Sequence, residues 1–182
     1  MVRTPLLPGL VEKASHQVKQ TPLQSLQATA YDALQGARQE GQDVHAITKG
    51  VLLMGPDANK IAVTIMLPLA GCLHLATHGQ WDPLGDNTYL VLAGQADGAP
   101  DHNALFGRDL QRLRLRAQIV VLAACQTGLG GIHSDSYIGL GQSFLAAGAR
   151  CMMVSLWPVP DETICAFMTQ FHTALHNGAQ PA

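Results

Sequence analysis

Short apolar runs alternate with amphipathic stretches along most of this chain. The runs "GVLLMG" (50–55), "CLHLAT" (72–77), "TYLVLAG" (88–94), "AQIVVLAA" (117–124) and "CMMVSLW" (151–157) read as strands. They are nearly continuous in hydrophobicity, as expected of strands covered on both faces. Between them the spacing predicts helices. In "LQATAYDALQGARQEG" (26–41), Leu26, Ala30, Ala33, Leu34 and Ala37 share a stripe, and Gly41 reads as the stop. Residues 58–67 and 103–113 read as shorter helices, the first weakened by Ile61, Val63, Thr64 and Ile65. "SYIGLGQSFLAAGA" (136–149) closes on Gly148. The last helix spans 161–178, with Asp161 as its expected N-cap and Asn177-Gly178 as its stop. Apolar strands alternating with helices predict an α/β fold around a mainly parallel sheet.

Composition narrows the setting. The 182 residues suit one domain with a sizeable core. Apolar residues make up 47% and charged residues 13%, which predicts either much buried surface or a chain whose natural neighbours are missing. A net charge of −2 gives no strong pull on nucleic acid or anionic lipid. Arg108, Arg112, Arg114 and Arg116 read as a solvated loop face. Residues 1 to about 28 are polar and Pro/Gln-rich, read as a tail or linker, and lack the apolar core of a signal peptide. The longest apolar stretch, 61–76, is too short for a membrane span and contains Pro68, Gly71 and His74. Cys72, Cys125, Cys151 and Cys165 form no CxxC pair, which fits a reduced, cytoplasmic environment.

In a parallel α/β sheet, ligands and reacting groups gather at the carboxyl ends of the strands. Two runs end in reactive residues followed by glycine. "HLATHG" ends in His78-Gly79, and "VVLAACQTG" ends in Cys125 ahead of Gly128. An imidazole beside a thiol generates the attacking thiolate. The glycines let a substrate approach the backbone, and free amides there can hold an oxyanion. A single cysteine ending a strand is more often a small core residue. The ordered pair of His-Gly and Ala-Cys-x-x-Gly is rarer, and its order and spacing are those of caspase-like peptidases. His74 and His78 are four apart but on a strand, with no general-base Glu between them, so no metal site is expected. His74 reads as a core histidine, with contact to the site or support of it as the alternative, and Cys72, Cys151 and Cys165 read as packing residues.

The segments "LLMGPDA", "LHLATHGQWDP", "LVLAG", "IVVLAACQTGLG", "IGLGQSFLAAGA" and "CMMVSLWPVPDE" together resemble the CHAT domain. This is a caspase-related peptidase domain commonly attached to tetratricopeptide repeats. The resemblance spans about residues 50–176 and implies a caspase-like three-layer fold with helices on both sides of the sheet. It implies a cysteine endopeptidase with no cofactor, with His78 as base and Cys125 as nucleophile. The Gly79 and Cys125 amides would be the oxyanion donors. Asp161 matches an acidic position near the substrate pocket and would suit a basic residue before the scissile bond. Asp82 reads as ordering the loop after His78 through turn chemistry, with orientation of the base as a second role. Where many relatives carry a "GEG"-like segment, this chain has "HSDSYIGL" (133–140).

The resemblance divides the chain into a tail and helix (1–45) and a CHAT-like domain (46–182) incomplete at its C-terminus. A sheet cut there is expected to expose apolar surface and to promote aggregation. The implied partners are a protein or peptide substrate and a tetratricopeptide-repeat partner or parent, not nucleic acid or membrane. The alternative is a catalytically incomplete interaction or regulatory module.

Overall fold

The computed structural model describes residues 10–11, 35–80, 89–94, 103–123, 134–155 and 159–180. Its elements begin with β1 (Leu10–Val11), α1 (Gln35–Thr48), α2 (Lys60–Met66), β2 (Cys72–Ala76), β3 (Gly79–Gln80) and β4 (Tyr89–Val91). They continue with β5 (Ala104–Phe106), α3 (Gly107–Leu110), β6 (Ile119–Leu122), α4 (Ser134–Ala146), β7 (Met152–Val154) and α5 (Asp161–His176).

The central sheet has the order β1-β2-β6-β7, and every neighbouring pair is parallel. Parallel neighbours need long crossovers, which the helices supply. Alternate residues of β2 and β6 face opposite layers. Leu73, Leu75, Val120 and Leu122 pack with Val63 and Leu67 near α2 and with Leu140 and Phe144 of α4. Cys72, Ala76, Ile119 and Val121 pack with Ala37 of α1 and Ile164, Met168 and Leu175 of α5. Each fully buried Leu or Phe contributes about 1.5–3 kcal/mol. The result is the three-layer, caspase-like α/β arrangement that the apolar runs and the resemblance implied. Leu10–Val11, within the stretch read as a tail, form an edge strand of this sheet.

Three expectations are corrected. Residues 50–55 do not form a strand element; Val51 is exposed and Leu52, Leu53 and Met54 are half-buried. β2 already has neighbours on both edges, so this run serves as an extended connector. Leu53 packs on one apolar layer, while Leu52 and Met54 pack on the other. Gly41 does not stop α1, which continues to Thr48. The stripe phase seen at Ala37 carries on through Glu40, Gly41 and Val44, all buried, so tertiary packing overrides a glycine cost of roughly 0.5–1 kcal/mol. The expected helix at 103–113 begins as strand β5 instead.

β5 belongs to a second sheet, β3-β4-β5, which is antiparallel. Tyr89 lies opposite Phe106, their ring centroids 5.0 Å apart. The helical turn starts only at Gly107, where Asp109 Oδ2 accepts the Phe106 N–H at 3.0 Å.

The helix ends follow local chemistry. Asn59 caps α2, its side chain accepting the Ala62 N–H at 3.0 Å. α4 and α5 both close with paired bonds from a positive-φ glycine and its successor. Gly148 donates to Leu145 O and Ala149 to Phe144 O; Gly178 donates to Leu175 O and Ala179 to Ala174 O.

Candidate active site at the carboxyl edge of the sheet

β2 is the strand that carries the first candidate residue. It ends at Ala76, and the chain then leaves the parallel sheet for the antiparallel one. Thr77 and His78 occupy the crossing, and Gly79 begins β3. Both crossing residues are buried, Thr77 at 2% exposure and His78 at 8%. The His78 carbonyl accepts the Val91 N–H at 2.8 Å. That bond sets the alternation of the β3–β4 ladder, in which Gly79 faces Leu90. In an antiparallel ladder, residues one step from a bonded pair direct their N–H outward. The Gly79 amide therefore points away from β4.

The second candidate follows, in sequence, the strand β6, which is adjacent to β2. The ladder between them extends past the named strands, with Ala123 donating to Leu75 O at 2.9 Å. Cys125, the expected nucleophile and second oxyanion donor, lies outside the described residues, as do Asp82 and Gly128. Asp161 follows β7, the next strand in the sheet, and is the first residue of α5. The N-cap position expected for Asp161 is held by Pro160, which makes no side-chain capping bond. Asp161 therefore lies one position past the cap, in the first turn.

The remaining candidates separate from this edge. His74 is a core residue on the α1/α5 face of β2, fully buried. Its Nδ1 lies 3.0 Å from His172 Nε2 on α5, and its Nε2 lies 2.9 Å from Glu40 Oε1 on α1. The Glu40 contact is not aligned as a hydrogen bond. Burial first, and the His74 charge second, push His172 down to about 3. Sequence reasoning missed Glu40 and His172; their trace is a polar residue on the buried stripe of each helix.

The other cysteines pack as expected. Burial pushes the Cys72 thiol up to about 12, which leaves it inert. Cys165 donates to Gly36 O at 3.4 Å, joining α5 to α1. Among the described residues, no group of three His, Cys, Asp or Glu is placed to hold a metal. Among them also, no helix is long and apolar enough to cross a membrane.

The parallel sheet with helices on both faces is the caspase-like class of α/β fold. The CHAT domain family matches residues 7–182, and the chain belongs to that family. Tetratricopeptide repeat protein 28 of Mus musculus is 31% identical over 161 aligned residues, covering 69% of this chain. Tetratricopeptide repeat protein 28 of Homo sapiens matches with the same identity and coverage. The chain spans about 6% of the length of these curated relatives. CHAT domains are related to the caspase-like cysteine peptidases.

Proposed function

We propose that this chain is a cysteine endopeptidase acting through a His78–Cys125 dyad. One observation carries the reading. The four β2–β6 pairs, from Cys72↔Ile119 to Leu75↔Leu122, each join residues 47 positions apart. His78 and Cys125 are separated by the same 47 positions. In sequence His78 follows β2 and Cys125 follows β6, two adjacent parallel strands, and this supports a shared rim at their carboxyl ends.

In this reading the Cys125 thiolate attacks the peptide carbonyl, and the outward Gly79 amide, with that of Cys125, stabilises the oxyanion. His78 passes a proton to the leaving amine, then takes one from the water that hydrolyses the thioester. Asp161, after the neighbouring strand, selects a basic residue before the scissile bond. Attachment to tetratricopeptide repeats and a cytoplasmic location complete the proposal, supported by the named relatives and by cysteines free of disulfides at 72, 151 and 165.

The test is the alkylation rate of each cysteine, followed by mass spectrometry against pH, with His78→Ala in parallel. Selective labelling of Cys125 below pH 7 that is lost in the variant supports the dyad. Equal labelling of all four cysteines overturns it. A non-catalytic interaction module is the second reading, favoured by an exposed apolar stripe on α2, Ile61, Ile65 and the following Leu69.

A further inference from the structure

The chain changes sheets within two residues. Ala76 is the last residue paired in the parallel sheet, and Gly79 the first paired in the antiparallel one. His78 lies in the interval between the two ladders. Val91 of β4 supplies the tie on both sides of the peptide. Its N–H donates to the His78 carbonyl at 2.8 Å, and its carbonyl accepts the Thr77 Oγ1 hydroxyl. Both bonds are buried, so water does not compete for them. Threonine is β-branched, which restricts χ1 and keeps the hydroxyl directed at its acceptor.

We propose that Thr77 is the positioning residue for His78: its hydroxyl, through Val91, fixes the backbone from which the imidazole projects. The inference rests on the reading of His78 as the base of the dyad. It adds a residue that acts through the backbone of another. Valine has nearly the same shape as threonine but lacks the donor, so Thr77→Val removes the tie while filling the space. Thr77→Ser keeps the donor and loses the methyl group.

The experiment uses the whole chain, with thermal melts to verify folding, and two readouts. The first is the NMR titration of the His78 imidazole, which needs no thiol chemistry. The second is the pH profile of Cys125 alkylation. Thr77→Val should shift the His78 titration midpoint and slow Cys125 labelling at pH 6.5 by roughly tenfold or more, as displacement of a catalytic group does. Thr77→Ser should restore both.

A folded Thr77→Val protein with unchanged His78 titration overturns the proposal, as does equal impairment by Val and Ser, which would trace the effect to the methyl group. If the valine variant does not fold, Thr77→Ala against Thr77→Ser makes the same comparison. Absence of selective Cys125 labelling in the unaltered protein counts against the dyad instead, and the His78 titration still decides the role of Thr77.

Discussion

His74 and His172, 98 positions apart in the chain, place Nδ1 and Nε2 3.0 Å from each other in a fully buried contact between β2 and α5. Their ring planes are inclined at 65°. Glu40 of α1 closes the other side of His74, so one imidazole joins the sheet to both helices of that layer.

This contact makes stability depend on pH. His172, held near 3 in the fold, titrates at about 6.5 when unfolded. Its contribution is fully present above about 6.5. It is lost as pH falls from there towards about 3, because only the unfolded chain takes up the proton. The groups facing it are His74 and, beyond that ring, Glu40. The melting temperature should fall over this range, and His172→Gln should flatten the decline, by on the order of a few kcal/mol. Thermal melts between pH 7.5 and 4.5 test this; equal slopes in both proteins would reject it.

Two glycines with positive φ should respond differently to alanine. At Gly148 (φ +114) an added Cβ would lie 2.6 Å from the Leu115 carbonyl oxygen, a backbone atom that cannot swing away. At Gly178 (φ +98) it would meet nothing within 4 Å. Gly178→Ala should cost about 1 kcal/mol of backbone strain, and Gly148→Ala about 2 kcal/mol or more. Denaturant titrations of the two variants compare them directly. Equal losses would mean that the approach to Leu115 is relieved in solution.

The stripe formed by Ile61 (74% exposed), Ile65 (61%) and Leu69 (62%) should bind a hydrophobic dye. Ile61→Lys with Ile65→Gln should weaken dye fluorescence and leave the unfolding midpoint within about 0.5 kcal/mol of the parent. A larger loss of stability would show that these side chains are packed against something in solution.

If Asp161 selects a basic residue before the scissile bond, Asp161→Asn should reduce cleavage of Arg- and Lys-containing peptides by roughly tenfold or more relative to neutral ones, the loss of a charge-assisted pairing of about 1.5–3 kcal/mol. A peptide library read by mass spectrometry reports the ratio. An unchanged preference would leave Asp161 with its place in the first turn of α5 alone.

Much of this was legible in the residue order. The parallel strands appear as apolar runs because both of their faces are covered. Gly148 and Gly178 mark helix ends because the left-handed conformation excludes most other residues. The place of His78 just beyond β2 follows from an apolar run meeting His-Gly. What the sequence could not disclose was which runs share a sheet. "TYLVLAG" resembles the central strands in composition, yet its Tyr89–Val91 core pairs antiparallel with Ala104–Phe106, part of a segment whose spacing suggested a helix.

The sequence by itself determined the α/β class, the principal strand and helix segments, the residues that end two helices, and a His-Gly at a strand terminus. Those properties depend on side chains and φ/ψ preferences within a few positions of one another. Tertiary structure alone decided that α1 passes through Gly41, that Glu40, His74 and His172 meet, and that Val91 ties the backbone at His78. These depend on contacts between residues 13 to 129 positions apart, whose free energy exists only once the layers have packed.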